Sequence, residues 1–339
     1  MPKIKITTLS PIHISSADEF ELNYNMLQDN KFVYLYDEFK IAEFFIQNSI
    51  EIPTSLDTLK QNIYQYKDKI IASNLHFRKI ENFLNISKPL LSQVSSANKS
   101  IISGSSIKGA IRTAYIYKMV QEGVFDNEIN RLQELEDKIE ESNFNEKKQL
   151  QKDKQKLLKD IDRKITNKTK SIFKYIKISD TLENSFDTKV YKTINIKKDK
   201  SHQTNRTKKV EKIANFIEVI KPDQINTITI NIDDDYFNDF GDICNRFYKE
   251  LYKNDFKYYF SNKKFEKELN LKNNQFVLNI GRFGGAELKS IEEIRSLKKT
   301  GSDVEWETSA RTFGLESSGT PPYFESELIP FGWILCEVI

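Results

Sequence analysis

Cysteine is nearly missing from this 339-residue chain. Cys244 and Cys336 stand far apart, which excludes a disulfide framework and a cysteine metal site. Histidine is as scarce: His13, His76 and His202 are too scattered to form a metal cluster. No run of about 18 apolar residues occurs, so no membrane span is expected. The opening MPKIKITTLS lacks the long apolar stretch of a secretory signal. These absences together suit a reducing cytoplasm. An excess of one charge is lacking too. Lys and Arg number 52 against 49 acids, a net charge of +3, so an argument for nucleic-acid binding must come from where charges cluster.

Apolar material is plentiful. With 38% hydrophobic residues, 23 Phe and 15 Tyr, a core is available and disorder is excluded for most of the chain. The length suits two domains or one large one. Residues 3–14 alternate β-branched and polar side chains and read as a strand, in which Pro11 disfavours a central, fully paired position. Residues 23–27 and 31–36 flank Asp29-Asn30 and read as a hairpin. Residues 37–47 carry Phe39, Ala42, Phe45 and Ile46 at helical spacing, and 54–87 look helical. Strand, hairpin and helix in so short a stretch suggest an α+β sandwich. A further helix is expected from about Ser105 to Gln121, stopped by Gly123.

Residues 126–170 hold 11 acids, 12 bases and no Gly or Pro. Leu132, Leu135 and Ile139 repeat at 3–4 spacing, and so do Leu158, Ile161 and Ile165. Residues 128–141 contain 6 acids and 2 bases, residues 146–170 contain 4 acids and 10 bases. Two helices of opposite charge joined at residues 142–145 would pair antiparallel, as a helical hairpin inserted into the domain. Strand character returns at 176–196 and 214–233. Between them, 197–212 has seven Lys or Arg against two acids and almost no apolar residues, and is expected to be mobile without RNA. A helix at 234–260, a strand at 276–280, a helix at 286–298 and a last strand complete the chain.

Two constellations could carry chemistry. In the first, Gly104-Ser105-Ser106-Ile107-Lys108-Gly109 with Arg112, small residues expose the free N–H groups of a helix start, which bind anions. Lys108 and Arg112 are one turn apart and repel each other, and a phosphate at the helix start would relieve that. A capped helix with solvated cations explains the same residues equally well. The order of a Walker motif is absent, so no nucleotide cofactor is expected. In the second, Gly281-Arg282-Phe283-Gly284-Gly285 with Lys289, three glycines allow close backbone approach, Arg282 can meet a phosphate and Phe283 can stack on a base. A structural strand-to-helix turn is the commoner explanation of such a run.

Ser10-Pro11-Ile12-His13-Ile14, Ser103 to Arg112, Gly281 to Gly285 and Pro330-Phe331-Gly332-Trp333, in that order, resemble the RAMP superfamily, the repeat-associated proteins of CRISPR systems. Gly-Arg-Phe combined with Phe-Gly-Trp is most similar to the subunit of type III-A (Csm-type) complexes that caps the guide RNA toward its 3′ end. Ser15 and Ser16 stand where a Gly often follows His-Ile, and Ser103 stands where a Pro is common. The resemblance implies two ferredoxin-like, RRM-related folds, 1–175 with the hairpin insertion 126–170 and 176–339 with the basic loop 197–212. It implies a non-catalytic subunit of the type III-A ribonucleoprotein, or the equivalent in a type III-B complex, that supports crRNA maturation and antiviral defence. The implied partners are the crRNA, backbone RAMP subunits, small helical subunits and the large subunit at the opposite end. The residues expected at the RNA are His13, Gly104, Ser105, Ser106, Lys108, Gly109, Arg112, Gly281, Arg282, Phe283, Gly284, Gly285 and Lys289, with neither a catalytic set nor a metal.

Two other readings stay open. A metal-independent endoribonuclease would use His13 as acid or base with Lys or Arg on the phosphorane, although a lone His more often packs or hydrogen-bonds. Cutting subunits of this fold use a metal and an acidic loop residue, for which Asp18 and Glu19 are placed, although exposed loop acids are usually only solvated. A structural scaffold built around the hairpin at 126–170 is the third possibility.

Overall fold

The structure is a computed structural model that describes residues 2–181, 184–197, 210–211, 215–231, 239–259, 270–295, 310–316 and 328–339. Alternation makes Lys3–Thr8 a strand, β1, with Ile4, Ile6 and Thr8 buried. It ends earlier than the alternation suggests, because the chain leaves the sheet at Ser10-Pro11. β2 (Ser15–Phe20) follows, then β3 (Met26–Gln28) and β4 (Phe32–Leu35). The last two form the expected hairpin, and Asp29 Oδ1 closes its turn by accepting from the backbone N–H groups of Lys31 and Phe32, both at 2.7 Å. Asp37 caps α1 (Glu38–Gln47) by accepting from Phe39 N. This helix buries Ile41, Phe44 and Phe45 and leaves Phe39 and Ile46 exposed.

Helix in the 54–87 region is confined to α2 (Leu56–Gln65) and α3 (Lys67–Ala72), because β5 (Arg78–Glu81) then joins a sheet. β6 (Leu90–Gln93) and the small pair β7 (Ser95–Ser96) and β8 (Lys99–Ser100) lead into α4 (Gly104–Gln121). The charged segment forms α5 (Asp126–Glu141) and α6 (Phe144–Phe173). Leu132, Leu158, Ile161 and Ile165 are buried between them, and Lys154–Glu136 (2.6 Å) and Lys164–Glu128 (2.7 Å) join the arms. Then come β9 (Lys177–Ile178), β10 (Thr188–Lys197), β11 (Val210–Glu211), β12 (Phe216–Ile220), β13 (Ile225–Asn231), α7 (Phe240–Tyr259), β14 (Gln275–Asn279), β15 (Ala310–Leu315) and β16 (Trp333–Val338).

Two expectations need correction or restriction here. Residues 286–298 do not open as an α-helix: Ala286–Leu288 and Glu292–Ile294 are short 3-10 turns. After Gly285 at the N-cap, the Ala286 carbonyl accepts from the Lys289 N–H at 3.0 Å, the 3-10 spacing, and from the Ser290 hydroxyl at 2.7 Å. The basic loop 197–212 is paired at its ends, since Lys197 belongs to β10 and β11 lies on Asn195–Ile196. Its remainder, and with it the expected mobility, lies outside the described residues.

The architecture is the α+β one expected. One sheet has the antiparallel order β14-β16-β1-β13-β9. Chain order β1-α4-β9-β13-α7-β16 with sheet order β16-β1-β13-β9 is the βαββαβ pattern of a ferredoxin-like unit, with β14 added at the edge. α4 and α7 pack together, the Tyr248 hydroxyl donating to the Ala110 carbonyl at 3.1 Å. The second sheet runs β2-β6-β12-β10-β5-β4-β3, and β11 and β15 also pair with β10. Along β12, Ile217 and Val219 face the core shared with the first sheet and Phe216 faces a second cluster; β10 adds Tyr191 and Ile194 to the first and Val190 to the second. Each of these two sheets takes strands from either side of residue 175.

Candidate nucleic-acid interface

Three distant stretches converge where β1 ends, α4 begins and β14 runs out. The Gly332 N–H donates to the Pro11 carbonyl and the Ile280 N–H to the Gly332 carbonyl, both at 2.8 Å, so the early Ser-Pro-Ile-His and the late Phe-Gly-Trp are stitched to β14. Asn279, fully buried, holds the junction. Its Nδ2 donates to the Phe331 carbonyl at 2.8 Å, and its side chain fills the space that a Cβ on Gly284 or Gly332 would need. The Arg282 N–H donates to the His13 carbonyl at 2.7 Å, and a Cβ on Gly281 would stand 2.4 Å from that oxygen. Gly281 (φ 74°), Phe283 (φ 70°) and Gly285 (φ 94°) all lie in the left-handed region, so the loop is held in a conformation that a side chain strains.

His13 lies beneath this loop, fully buried, its ring tilted against Phe283 at 5.5 Å. Nδ1 donates to the Glu218 carbonyl at 2.7 Å, which makes Nε2 the bare nitrogen, and no partner reaches it. Burial lowers the imidazole pKa to about 4, with the Glu218 carbonyl opposing and the Arg282 charge assisting. Below it, Glu218 is fully buried and receives Arg78 at 2.8 Å, the Gln93 N–H at 3.0 Å and the Ser92 hydroxyl at 3.2 Å.

The two glycine-bearing constellations meet across a cleft of about 420 Å³. Ser106, Gly109, Ala110 and Thr113 of α4 form one wall at helical spacing, and Gly281, Arg282 and Lys289 form the other, with Ile14 and Ser15 between. Arg282 is exposed, its guanidinium 5.3 Å from the Phe283 ring. Lys289 has an exposed stem and a sheltered head: Nζ folds onto the Asn279 carbonyl at 2.8 Å, and that burial lowers its pKa to about 7. Gly109 is exposed, and a Cβ there would meet nothing within 4 Å. No packing inside the protein asks for glycine at that position.

Other expected residues are placed differently. The Gly104 N–H, which the sequence offers to an anion, donates to Asp180 at 2.9 Å, so a carboxylate of the protein already takes part of the helix start. Gly104 is glycine for packing, since a Cβ would lie 2.2 Å from the Ile178 carbonyl oxygen. Ser103 occupies the N-cap position, and Ser105 and Ser106 hydrogen-bond to its hydroxyl. Lys108 and Arg112 share a face, as their spacing requires, but that face turns away from the cleft. Lys108 Nζ donates to the Ile176 carbonyl at 2.7 Å and Arg112 Nε to the Thr169 hydroxyl of α6 at 3.0 Å. Asp18 and Glu19 are not in a loop but on β2, an exposed edge strand with an irregular register. Sequence reasoning missed Asp180, Glu218 and Asn279. Asn279 carried a signal, one polar residue in the apolar run FVLNI; of the other two, Asp180 is brought in from the loop after β9 and Glu218 from β12.

Among the described residues, no group of three or more His, Cys, Asp or Glu comes together to hold a metal, and no helix is long and apolar enough to cross a membrane. A ferredoxin-like sheet with its first helix facing a glycine loop defines an α+β protein of RRM-related build. The chain belongs to the RAMP superfamily, whose family model matches residues 5–287. Among solved structures it is similar to a chain of the cryo-EM structure of a Csm-crRNA-target RNA ternary complex of a type III-A CRISPR-Cas system, with a TM-score of 0.65 and 17% identity over 99% of this chain and 100% of that one. It is also similar to the crystal structure of T. onnurineus Csm5, with a TM-score of 0.61 and 16% identity over 97% and 99% of the two chains. No curated protein matches its sequence.

Proposed function

We propose that the chain is the subunit of a cytoplasmic type III-A CRISPR effector complex that holds the 3′ part of the guide RNA and caps the filament of backbone subunits without cutting RNA. The observation that carries this reading is the cleft, where the open Gly109 faces Arg282 and Lys289. A mid-helix glycine costs helix stability, a cost that the close approach of a ligand backbone accounts for, and the exposed Arg282 opposite, with the partly charged Lys289 beside it, suits a phosphate backbone. Phosphate contacts carry no base information, as a subunit serving guides of every sequence requires. One similar structure is described as Csm5, and the other belongs to a Csm-crRNA-target RNA complex. The partners that follow are crRNA, backbone RAMP subunits and small helical subunits.

A holding role also accords with the chemistry of His13. A fully buried imidazole committed to a carbonyl and neutral at pH 7 suits positioning the Arg282 loop more than shuttling protons at a substrate. The test is a pair of double variants. Arg282→Ala with Lys289→Ala weakens binding to all guides alike and lowers the salt slope by roughly 0.7 to 1.4, at about 0.7 per phosphate contact on a single strand, since Lys289 is only partly charged at pH 7. Lys108→Ala with Arg112→Ala lowers thermal stability instead. Unchanged affinity and slope in the first variant would sink the cleft as the RNA site, and guide cleavage by the purified chain would replace holding by processing.

A further inference from the structure

The outer face of α6 carries a line of cations that the cleft does not explain. Lys148, Lys152, Lys156, Lys159, Arg163 and Lys170 are all exposed. At 100° per residue they lie within about 40° of a single line along the helix. Over the 22 residue-to-residue steps from Lys148 to Lys170, the line is roughly 33 Å long at 1.5 Å per step. The acids of α6, Glu146, Asp153, Asp160 and Asp162, stand about 80° or more away from it. Only Arg163 has an acid near, Asp160 at 3.4 Å.

The inner face of the same helix is built differently. There Lys154 and Lys164 are matched to Glu136 and Glu128 of α5. The acid-rich arm thus neutralises one side of the basic arm and leaves the other uncompensated. Like charges one turn apart destabilise a helix by a few tenths of a kcal/mol per pair, so the row is an arrangement that awaits a counter-charge.

We propose that this face of α6 is a second RNA-binding surface, which grips the backbone of a single strand as it continues beyond the cleft. The inference rests on the proposed function and extends it to a part of the molecule that the cleft does not include. An RNA strand is favoured over an acidic protein by what the row lacks. Protein interfaces are depleted of lysine and organised around apolar or aromatic anchors, whereas the other positions on this line, Asn145 and Thr166, are polar. A continuous line of cations without a hydrophobic anchor matches a linear polyanion. At about 3.4 Å or more per nucleotide, the row accommodates up to about ten nucleotides. It meets the body where α6 touches α4, at the Arg112–Thr169 hydrogen bond.

The experiment uses the full chain carrying Lys148→Gln, Lys152→Gln, Lys156→Gln and Lys159→Gln together. Gln matches Lys in helix propensity, so helicity by circular dichroism stays at the wild-type level. Binding is measured across a salt series on a short single-stranded RNA that fills the cleft and on one about ten nucleotides longer. On the longer RNA the variant loses roughly 3 from its salt slope, at about 0.7 for each of four contacts, while the short RNA is bound as by wild type. The corresponding four Lys→Arg changes retain the wild-type slope on the longer RNA. Equal slopes for the Gln variant and wild type on the longer RNA overturn the proposal, as does an equal loss on both RNAs. A wild-type chain that prefers polyglutamate to RNA of equal charge also overturns it, in favour of an acidic protein. Wild type binding neither RNA removes the proposed function itself, whereas normal binding of the short RNA with no effect of the four changes removes only the α6 surface.

Discussion

His13 shows how a motif residue can be legible while its work is not. Its position after the first strand is plain in the sequence, but the partner of its Nδ1 is a carbonyl 205 residues away. That partner and the burial decide its protonation. The folded pKa of about 4 lies below the ordinary 6.5, so between these values the unfolded chain binds a proton that the folded chain refuses. Stability is therefore full above about pH 6.5 and falls as the pH drops toward 4. His13→Asn keeps a donor for the Glu218 carbonyl and removes the titration. The stability difference between wild type and this variant should narrow with acidification by up to about 3 kcal/mol, at 1.36 kcal/mol per pH unit. Urea titrations at pH 7 and near pH 4 measure it, and a difference independent of pH would contradict the buried, neutral imidazole.

Two glycines of α4, five residues apart and alike in sequence, separate packing from function. At Gly104 a Cβ would lie 2.2 Å from the Ile178 carbonyl oxygen and 2.7 Å from that of Ser179, both backbone atoms that cannot give way cheaply. Gly104→Ala therefore destabilises the chain, by about 2 kcal/mol or more, the scale of strained and overpacked sites. At Gly109 the space is empty and the position is mid-helix, so Gly109→Ala stabilises the chain by up to about 1 kcal/mol. It should at the same time weaken guide binding, because the new methyl stands in the cleft. Melting temperature and RNA affinity of the two variants check both statements. At this scale the sequence was informative about α4 and the α5–α6 hairpin, whose apolar spacing is regular. It misled at residues 286–295, where local hydrogen bonds from Ser290 compete with the helix, and at α1, where Phe39 and Ile46 share the helical spacing but face outward.

Across the whole molecule, the α+β class and the four motif patches could be read from the sequence, but the pairing of the sheets could not. Strand alternation marks which face of β1 is buried and says nothing about which strands flank it. The flanking strands are β13 and β16, so the ferredoxin-like sheet is assembled from the beginning, middle and end of the chain. A fragment ending at residue 175 holds β1 and α4 without the strands on either side of β1. It should lack cooperative unfolding and dispersed amide resonances, and a well-folded fragment would show that the halves are independent.

The central place of β1 also sets the order of events at the ribosome. Ile4 and Ile6 are made about 330 residues before their partners on β16, Val338 and Cys336. At about 5–20 residues per second the wait is tens of seconds. Until β13 is made an apolar strand has both hydrogen-bonding edges unpaired, and until β16 is made one edge stays open, which is the state that recruits strands from other chains. Nascent chains of this protein should thus depend on a chaperone that shields β1, and they should lose that dependence only once β16 has been made.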